Sequence, residues 1–271
     1  MRKDRIGLQL YSLREEMKED FYGTLKIVKD LGYSGVEFAG LLGHSPEEVK
    51  EMCEELGLEI VSAHVPVREI LADMDGVVDC YSRLECKRIV IPSGPVGYRY
   101  GQEKYGEFVE MVKTFAVKLR EKDMILQYHN HDFEFEKEDG KYFLDIMYED
   151  MGPEYLQTQL DVCWVYVGGE NPADYIRKYA GRIPTVHLKD FEGEKSENMY
   201  GLIGVSSGEL DKVSDKFQFK PLGMGMQDIP AIIEAAEENG AEWLIVEQDR
   251  PTKGYTPLEC ATLSVKYLLS L

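Results

Sequence analysis

The sequence predicts an α/β fold in which one closed (β/α)8 barrel takes up residues 1–271. Short apolar runs alternate with longer amphipathic stretches, and the chain holds eight such runs. Alternating strands and helices predict a parallel sheet, and eight units in 271 residues predict that the sheet closes on itself. An open doubly wound sheet is not favoured, because no G-x-G-x-x-G motif follows the first apolar run.

The first half of the chain predicts four strands, each followed by a helix. Asp20 is placed to cap the first helix and Gly32 to end it. Ser45 and Glu48 have capping-box spacing at the start of the second helix, with Pro46 at its first position. The strands are predicted at residues 6–12, 35–39, 58–66 and 87–94, and the helices at residues 20–32, 45–57, 68–85 and 105–121.

The second half predicts four more strands and a less regular set of helices. Residues 133–150 look like a hairpin that turns at residues 138–140. Residues 191–227 are rich in glycine, serine and lysine, which predicts a long loop over the mouth of the barrel. Residues 168–169 and 206–208 are weak candidates for holding a phosphate. The strands are predicted at residues 124–130, 155–164, 183–190 and 242–249, and the helices at residues 171–181, 227–240 and 256–271.

The charge and the cysteines bear on the class of partner and on the compartment. Lys and Arg number 31 and Asp and Glu number 50, which gives a net charge of −19 and opposes binding to nucleic acid or to an anionic membrane. No apolar run approaches the ~20 residues of a membrane span, and the start of the chain lacks the apolar core of a secretory leader. The five cysteines are scattered without a C-x-x-C motif, which predicts reduced thiols in a cytoplasmic protein. The sequence leaves open whether the protein forms a homo-oligomer.

Polar residues gather where the predicted strands end. In a (β/α)8 barrel the site is built at these carboxyl ends. Four of the five histidines fall at strand ends, whereas structural histidines would scatter over helices and loops. Each residue also has a structural explanation: a lone histidine packs, Asp190 and Asp249 cap the next helices, and Glu134 and Glu136 form the solvated face of a hairpin. The strand-end residues are Glu37, His64, His129, His131, Asp161, His187, Lys189 and Glu247.

Asp161, His187 and Glu247 form a mixed nitrogen and oxygen donor set. Such a set suits a divalent cation such as Mn²⁺, Co²⁺ or Mg²⁺. No cysteine fits the pattern, so Zn²⁺ is less favoured and a structural zinc site is not expected.

Several motifs resemble one family along nearly the whole chain. "GLQLYSLR", "GVEF", "SAH", "YHNHDFEF", "QLDVCW", "VHLKD" and "IVEQD" are similar to the sugar phosphate isomerase/epimerase group of xylose-isomerase-like barrels. The resemblance implies one divalent metal held by Glu, Asp, His and Glu, of which the last three map to Asp161, His187 and Glu247. The chain departs from the pattern at the fifth strand, where His129 stands in place of the first glutamate. His129 is then the fourth ligand, or Glu134 supplies a replacement carboxylate.

The resemblance implies an enzyme that removes a proton next to a carbonyl of a small sugar or sugar derivative and stabilises an enediolate with its metal. Returning the proton gives an isomerase or epimerase, whereas losing a β-leaving group gives a dehydratase or lyase on a keto-inositol or keto-sugar. A sugar or metal binder with a decayed site and a DNA-repair nuclease are the other classes, and the nuclease needs more histidine ligands than this chain offers. Glu247 or Glu134 is expected as the base, with His131, His64 or Lys189 polarising or protonating oxygens and Glu37 as a further catalytic candidate.

Overall fold

Eight parallel strands close into a barrel in this computed structural model, which describes residues 2–195, 199 and 216–271. The order around the barrel is β1-β12-β9-β8-β5-β4-β3-β2, which confirms the predicted (β/α)8 fold. Two antiparallel pairs, β6-β7 and β10-β11, lie outside it. The strands are β1 (Ile6–Gln9), β2 (Gly35–Phe38), β3 (Glu59–His64), β4 (Arg88–Ile91), β5 (Ile125–His129), β6 (Lys137–Glu138), β7 (Lys141–Tyr142), β8 (Gln157–Asp161), β9 (Thr185–Leu188), β10 (Asp190–Gly193), β11 (Phe217–Lys220) and β12 (Trp243–Val246).

Helices cover the outside of the barrel and start where the sequence places their caps. Asp20 accepts a hydrogen bond from the Gly23 amide, and Gly32 ends that helix with a φ of 107°. Ser45 and Glu48 form the predicted capping box. The helices are α1 (Arg14–Glu19), α2 (Phe21–Leu31), α3 (Pro46–Leu56), α4 (Val67–Ala72), α5 (Met74–Arg83), α6 (Tyr105–Arg120), α7 (Phe143–Met151), α8 (Val162–Val167), α9 (Pro172–Lys178), α10 (Ile229–Glu238) and α11 (Pro257–Ser270).

Some predicted elements differ from those observed. The helix predicted at residues 68–85 is two helices, because Asp73 leaves the helical conformation and caps α5 through the Gly76 amide. The hairpin predicted after β5 is confirmed as β6-β7, but the helix α7 follows it directly. Within the long predicted loop, β10 and β11 pair with each other, and residues 206–208 lie outside the described residues.

Polar side chains fill the inside of the barrel near its carboxyl-terminal end. Gln9, Glu37, Gln127 and Gln159 are all fully buried there, where a (β/α)8 barrel usually packs branched apolar side chains. Buried polar groups of this kind must satisfy each other, so they point to a site that the strands hold in place. No helix of the described part is long and apolar enough to cross a membrane.

Candidate functional site

Four side chains meet at the carboxyl-terminal end of the barrel. One donor atom each from His129, Asp161, His187 and Glu247 lies within 4.8 Å of the other three, and all four residues are buried. His129 and Asp161 end β5 and β8, His187 lies in β9, and Glu247 follows β12 directly. The structure thus gathers the predicted ligand set, here called the four-donor cluster, because neighbouring parallel strands end at one edge.

Asp161 divides its carboxylate between the fold and the four-donor cluster. Its Oδ1 accepts the backbone amides of Cys163 at 2.9 Å and Trp164 at 3.1 Å and so caps α8. Its Oδ2 faces the cluster and lies 3.7 Å from His129 Nε2. The helix cap fixes the direction in which the second oxygen points.

Glu37 lies beneath the four-donor cluster and accepts hydrogen bonds from several sides. Gln9 and Gln159 donate side-chain amides to it, each at 2.6 Å, and the Ser62 hydroxyl donates at 2.5 Å. His187 Nε2 lies 2.7 Å from Glu37 Oε1, which turns His187 Nδ1 towards the cluster and to 3.1 Å from Glu247 Oε2. Glu37 therefore orients a candidate ligand, and it does not line the cavity at the mouth.

Lys189 brings a buried positive charge to the edge of the four-donor cluster. Its ammonium lies 2.7 Å from Glu247 Oε2, 3.0 Å from Asp161 Oδ2 and 2.7 Å from Asp249 Oδ2. Asp249 is thus an ion-pair partner at the site and no helix cap. Asp190 is no helix cap either: it accepts the amides of four residues, which are Phe191, Gly223, Gly225 and Gln227.

Carboxyl groups outnumber the positive groups around the four-donor cluster, even though Glu37 and Glu247 outweigh the effect of burial and raise the pKa of His187 to about 10. Glu37, Asp161, Glu247 and Asp249 are buried carboxyl groups, and Lys189 is the one lysine or arginine that pairs with any of them in the described part of the chain. Burial raises the pKa of Asp161, and the neighbouring Glu247 carboxylate adds to this rise. A divalent cation would relieve this repulsion, and two imidazole nitrogens with two carboxylates are donors that such a cation accepts. The residues present therefore fit one divalent metal.

A cavity of about 390 Å³, here called the mouth cavity, opens above the four-donor cluster. His129 and Glu247 reach it from the cluster, and His64 and His131 line it beside them. His64 Nε2 is already occupied, at 2.8 Å from Gln159 Oε1 and 3.0 Å from Glu37 Oε1. The remaining lining residues are Tyr11, Ala39, Gly40, Pro66, Arg68, Glu69, Pro92, Ser93 and Asp249.

His131 differs from the other site histidines in its partners. Its Nδ1 is buried and has no hydrogen-bond partner among the described residues, while its ring stacks on Phe133 with centroids 5.6 Å apart. Burial and the charge of Lys189 lower the pKa of His131 to about 3, so its imidazole is neutral near pH 7. A neutral imidazole that lines the mouth cavity can exchange a hydrogen bond with a ligand there.

Glu134 does not join the four-donor cluster. After β5 the chain turns through Phe133–Phe135, and Glu134 lies within this turn. Tyr128 donates its hydroxyl to Glu134 at 2.6 Å, and the His131 amide donates at 2.8 Å. Glu134 lines a second cavity of about 400 Å³, here called the side cavity. Burial raises the pKa of Glu134 to about 7.

Gln159 is a site residue that the sequence did not single out. Its side-chain oxygen lies 2.8 Å from His64 Nε2 and 3.2 Å from His129 Nδ1, and its nitrogen donates to Glu37. The available signal is its place two residues before Asp161, because residues two apart in a strand share a face. Gln159 sets which nitrogen of His129 is left for the cluster.

Comparisons with known proteins agree on the fold. A family model described as xylose isomerase-like TIM barrel matches residues 25–268. An inosose dehydratase from Clostridium beijerinckii is 27% identical over 177 residues, which are 63% of this chain and 56% of that protein. The chain thus spans little more than half the length of this curated relative.

Solved structures show the same architecture at low identity. A sugar phosphate isomerase/epimerase from Parabacteroides distasonis is 22% identical, with a TM-score of 0.78 and 98% of each chain covered. A protein called IolI, solved with a bound zinc atom, is 15% identical, with a TM-score of 0.68, and the likeness covers 98% of this chain and 97% of that one. At such identities the likeness shows the fold alone.

Proposed function

This chain belongs to the xylose isomerase-like TIM barrel family, and on that premise we propose that it is a metal-dependent enzyme acting on a sugar or cyclic polyol ketone. The observation that carries the proposal is the buried four-donor cluster directly beneath the mouth cavity. The first step is removal of a proton from the carbon next to a carbonyl, which needs a base beside the substrate and is favoured by a bound divalent cation that stabilises the developing negative charge.

His129, Asp161, His187 and Glu247 would hold the metal. When bound, a divalent cation supplies Lewis-acid stabilisation to the oxygen on which negative charge develops. Whether the ion is Mn²⁺, Co²⁺, Mg²⁺ or Zn²⁺ stays a prediction, and the zinc in the IolI structure belongs to that protein.

Glu247 is the proposed base, because it lines the mouth cavity and Glu134 does not. Lys189 lies 2.7 Å from both Glu247 and Asp249 and so holds the two carboxylates in fixed positions. His131 lines the same cavity, and its neutral imidazole is suited to hydrogen-bond a substrate hydroxyl.

Elimination is the outcome that these residues support best. Breaking the C–H bond leaves its electron pair to form a carbon–carbon double bond, while a hydroxyl on the next carbon takes a proton and departs as water. The step balances if Glu247 takes the proton from carbon and passes it to the departing hydroxyl, while the neutral His131 imidazole hydrogen-bonds that hydroxyl. Several curated relatives that match by sequence carry the name inosose dehydratase, which supports the same outcome.

Isomerisation or epimerisation is the second candidate. Both need a group that returns the proton, on the opposite face in the case of epimerisation. The second carboxylate expected at the end of β5 is His129 here, and His129 lies within the four-donor cluster. His131 beside it is neutral near pH 7 and carries no proton to return, so this outcome has less support from these residues than elimination has.

Proton exchange in heavy water tests the proposal. Mn²⁺-loaded protein is incubated with an inosose and, separately, with L-ribulose, and proton NMR follows the hydrogen next to the carbonyl. We expect deuterium at this carbon, a vinyl product if elimination follows, and loss of both signals in Glu247→Gln. His44→Ala is the matched control, because His44 packs on Phe21 away from the site. Exchange that persists in Glu247→Gln, or no exchange with either substrate, contradicts the proposal.

A further inference from the structure

The side cavity is as large as the mouth cavity and is built differently. Its volume is about 400 Å³, within the range of small-molecule sites, which is ~300–1,000 Å³. Its floor is buried and its rim is exposed, so it opens to solvent. Phe108, Tyr128, Glu134 and Met147 form the floor, and Gln102, Glu136 and Glu138 form the rim.

Aromatic rings supply flat surfaces along its walls. Tyr100 packs against Phe143 with centroids 4.9 Å apart and against Tyr105 at 5.1 Å, and all three line the side cavity. Tyr100 and Phe143 are only partly buried, so each has ring surface left for a ligand. Rings of this kind pack on the C–H faces of a six-membered ring, and the hydroxyls at its edge then need polar partners.

Glu134 offers such a partner at the bottom of the side cavity. It is 5% exposed, and each of its oxygens is known to accept one hydrogen bond, from Tyr128 and from the His131 amide. A carboxylate has about four lone-pair sites, so Glu134 can accept from ligand hydroxyls as well. Because two donors hold the buried Glu134 carboxyl group, its position is fixed and it can orient a bound ligand.

The charge of the walls decides what kind of ring fits. Glu134, Glu136 and Glu138 face one cation, Arg99, whose guanidinium lies over the Phe133 ring at 3.5 Å from its centroid. A phosphorylated or carboxylated ligand would meet three carboxyl groups, so an anion is disfavoured. A neutral ring with hydroxyl groups avoids this repulsion and matches the acceptors.

We propose that the side cavity is a second binding site for a neutral, hydroxyl-bearing six-membered ring, packed against the exposed surface of Tyr100 and Phe143 and hydrogen-bonded to Glu134. Phe133 separates the two cavities, with Arg99 on its ring and His131 stacked on it at 5.6 Å. The bound ring is either the second unit of the molecule that enters the mouth cavity or a separate molecule. The site itself does not depend on the proposed function, but the first alternative, in which the ring is part of the molecule in the mouth cavity, rests on it.

Ligand-observed NMR with the whole protein tests the site without any turnover. Methyl β-D-glucopyranoside is the one-ring probe and cellobiose the probe with two linked rings. Phe143→Trp fills the side cavity and Tyr100→Ala removes a wall. Tyr255→Trp is the control, on a tyrosine that is 40% exposed and lines neither cavity. We expect saturable binding of at least one probe to the unchanged protein, weakened about tenfold in both side-cavity variants and unchanged in the control.

The two sources of the ring give different patterns. If one molecule spans both cavities, cellobiose binds more tightly than the methyl glucoside and loses this advantage in both Phe143→Trp and Glu247→Gln. If the ring is a separate molecule, cellobiose has no advantage, and Glu247→Gln leaves binding of the methyl glucoside unchanged.

Three results would overturn the proposal. They are no saturable binding of either probe, equal affinity in the unchanged protein and in both side-cavity variants, and tighter binding of benzylamine, a cation, than of the glucoside. Because binding is read without catalysis, an inactive protein that still binds a ring refutes the proposed function and leaves this site standing.

Discussion

Replacing Glu37 by glutamine tests whether this carboxylate organises the four-donor cluster. In the structure one oxygen of Glu37 takes the Gln9 amide and His187 Nε2, and the other takes the Ser62 hydroxyl and the Gln159 amide. Glutamine keeps the shape but turns one oxygen into an NH₂ group. The new NH₂ group then faces the side-chain amide of Gln9 in one orientation and that of Gln159 in the other. In both cases two N–H donors face each other.

The size of the effect follows from these contacts. Losing a buried hydrogen bond to a charged group costs about 1.5–3 kcal/mol, and leaving a buried donor unpaired costs about 1–3 kcal/mol. Glu37→Gln should therefore lower the free energy of unfolding by roughly 3–5 kcal/mol. Because His187 loses the partner that orients it, metal affinity should fall by about 10- to 100-fold.

Urea unfolding followed by tryptophan fluorescence, with metal and with a chelator, measures the first effect, and titration with Mn²⁺ measures the second. Glu51→Gln is the control, since Glu51 is exposed on α3. Burial alone would raise the pKa of Glu37, but His64 and His187 outweigh it and hold that pKa well below its usual range. The contribution of Glu37 to the free energy of unfolding is therefore present above the pKa that it has in the unfolded chain, and it is lost on acidification. An unfolding free energy within 1 kcal/mol of the unchanged protein, far below the roughly 3–5 kcal/mol expected, would refute this reasoning.

Three further predictions concern other carboxyl groups. Asp161→Ala should lower metal content about tenfold or more, because it removes a proposed ligand and the cap of α8. Asp174 is exposed, so Asp174→Ala should leave metal content unchanged, and mass spectrometry of the metal checks both variants. Because the pKa of Glu134 is raised to about 7, its stabilising effect is present below the unfolded value of 4.5 and lost as pH rises through 7. Glu134→Gln should therefore remove about 3 kcal/mol from the pH dependence of the free energy of unfolding, measured with urea. The same pH dependence in the variant and in the unchanged protein would contradict this. Glu136→Gln, at the rim of the side cavity, is the control. Asp190→Ala should speed hydrogen exchange of the three amides that Asp190 accepts between residues 223 and 227 by roughly ten- to a hundredfold, and unchanged exchange would count against that anchor.

The ligand set could be predicted because topology alone brings it together. Parallel strands of a barrel end at one edge, so His129, Asp161, His187 and Glu247 had to meet if the strand ends were placed correctly. Helix caps at Asp20 and other starts were predictable for a similar reason, since they depend on residues a few positions apart.

The residues that leave the strands could not be placed in the same way. Glu134 lies five residues after His129, and the short turn at Phe133–Phe135 sends it to the side cavity. The alternation of phenylalanine and glutamate predicted that Glu134 and Glu136 form a solvated face, yet Glu134 is buried and of the two only Glu136 is exposed. Neighbouring loops decide burial there, and a local pattern does not report on them.

The sequence also does not predict the layer of the barrel in which each inward-facing residue lies. Glu37 and Gln159 face inward like the ligands but lie one layer lower, where each can reach several strands. Asp249 follows Glu247 by two residues and points to the same side, so its ion pair with Lys189 required only the correct alternation. The structural explanation of Asp249 as a helix cap overlooked that alternation.

The layers of the site together explain why its histidines differ in role. Glu37 and Gln159, at the lowest layer, occupy one nitrogen of His187 and of His129 and leave the other for the four-donor cluster. His64 has its Nε2 bound to the same two residues, so its position at the mouth cavity is fixed from below. His131 lies beyond the reach of this network, and its Nδ1 has no partner among the described residues. His131 therefore lines the mouth cavity without being held by Glu37 or Gln159, and we expect it to contact a ligand, whereas His129 and His187 are oriented towards the four-donor cluster.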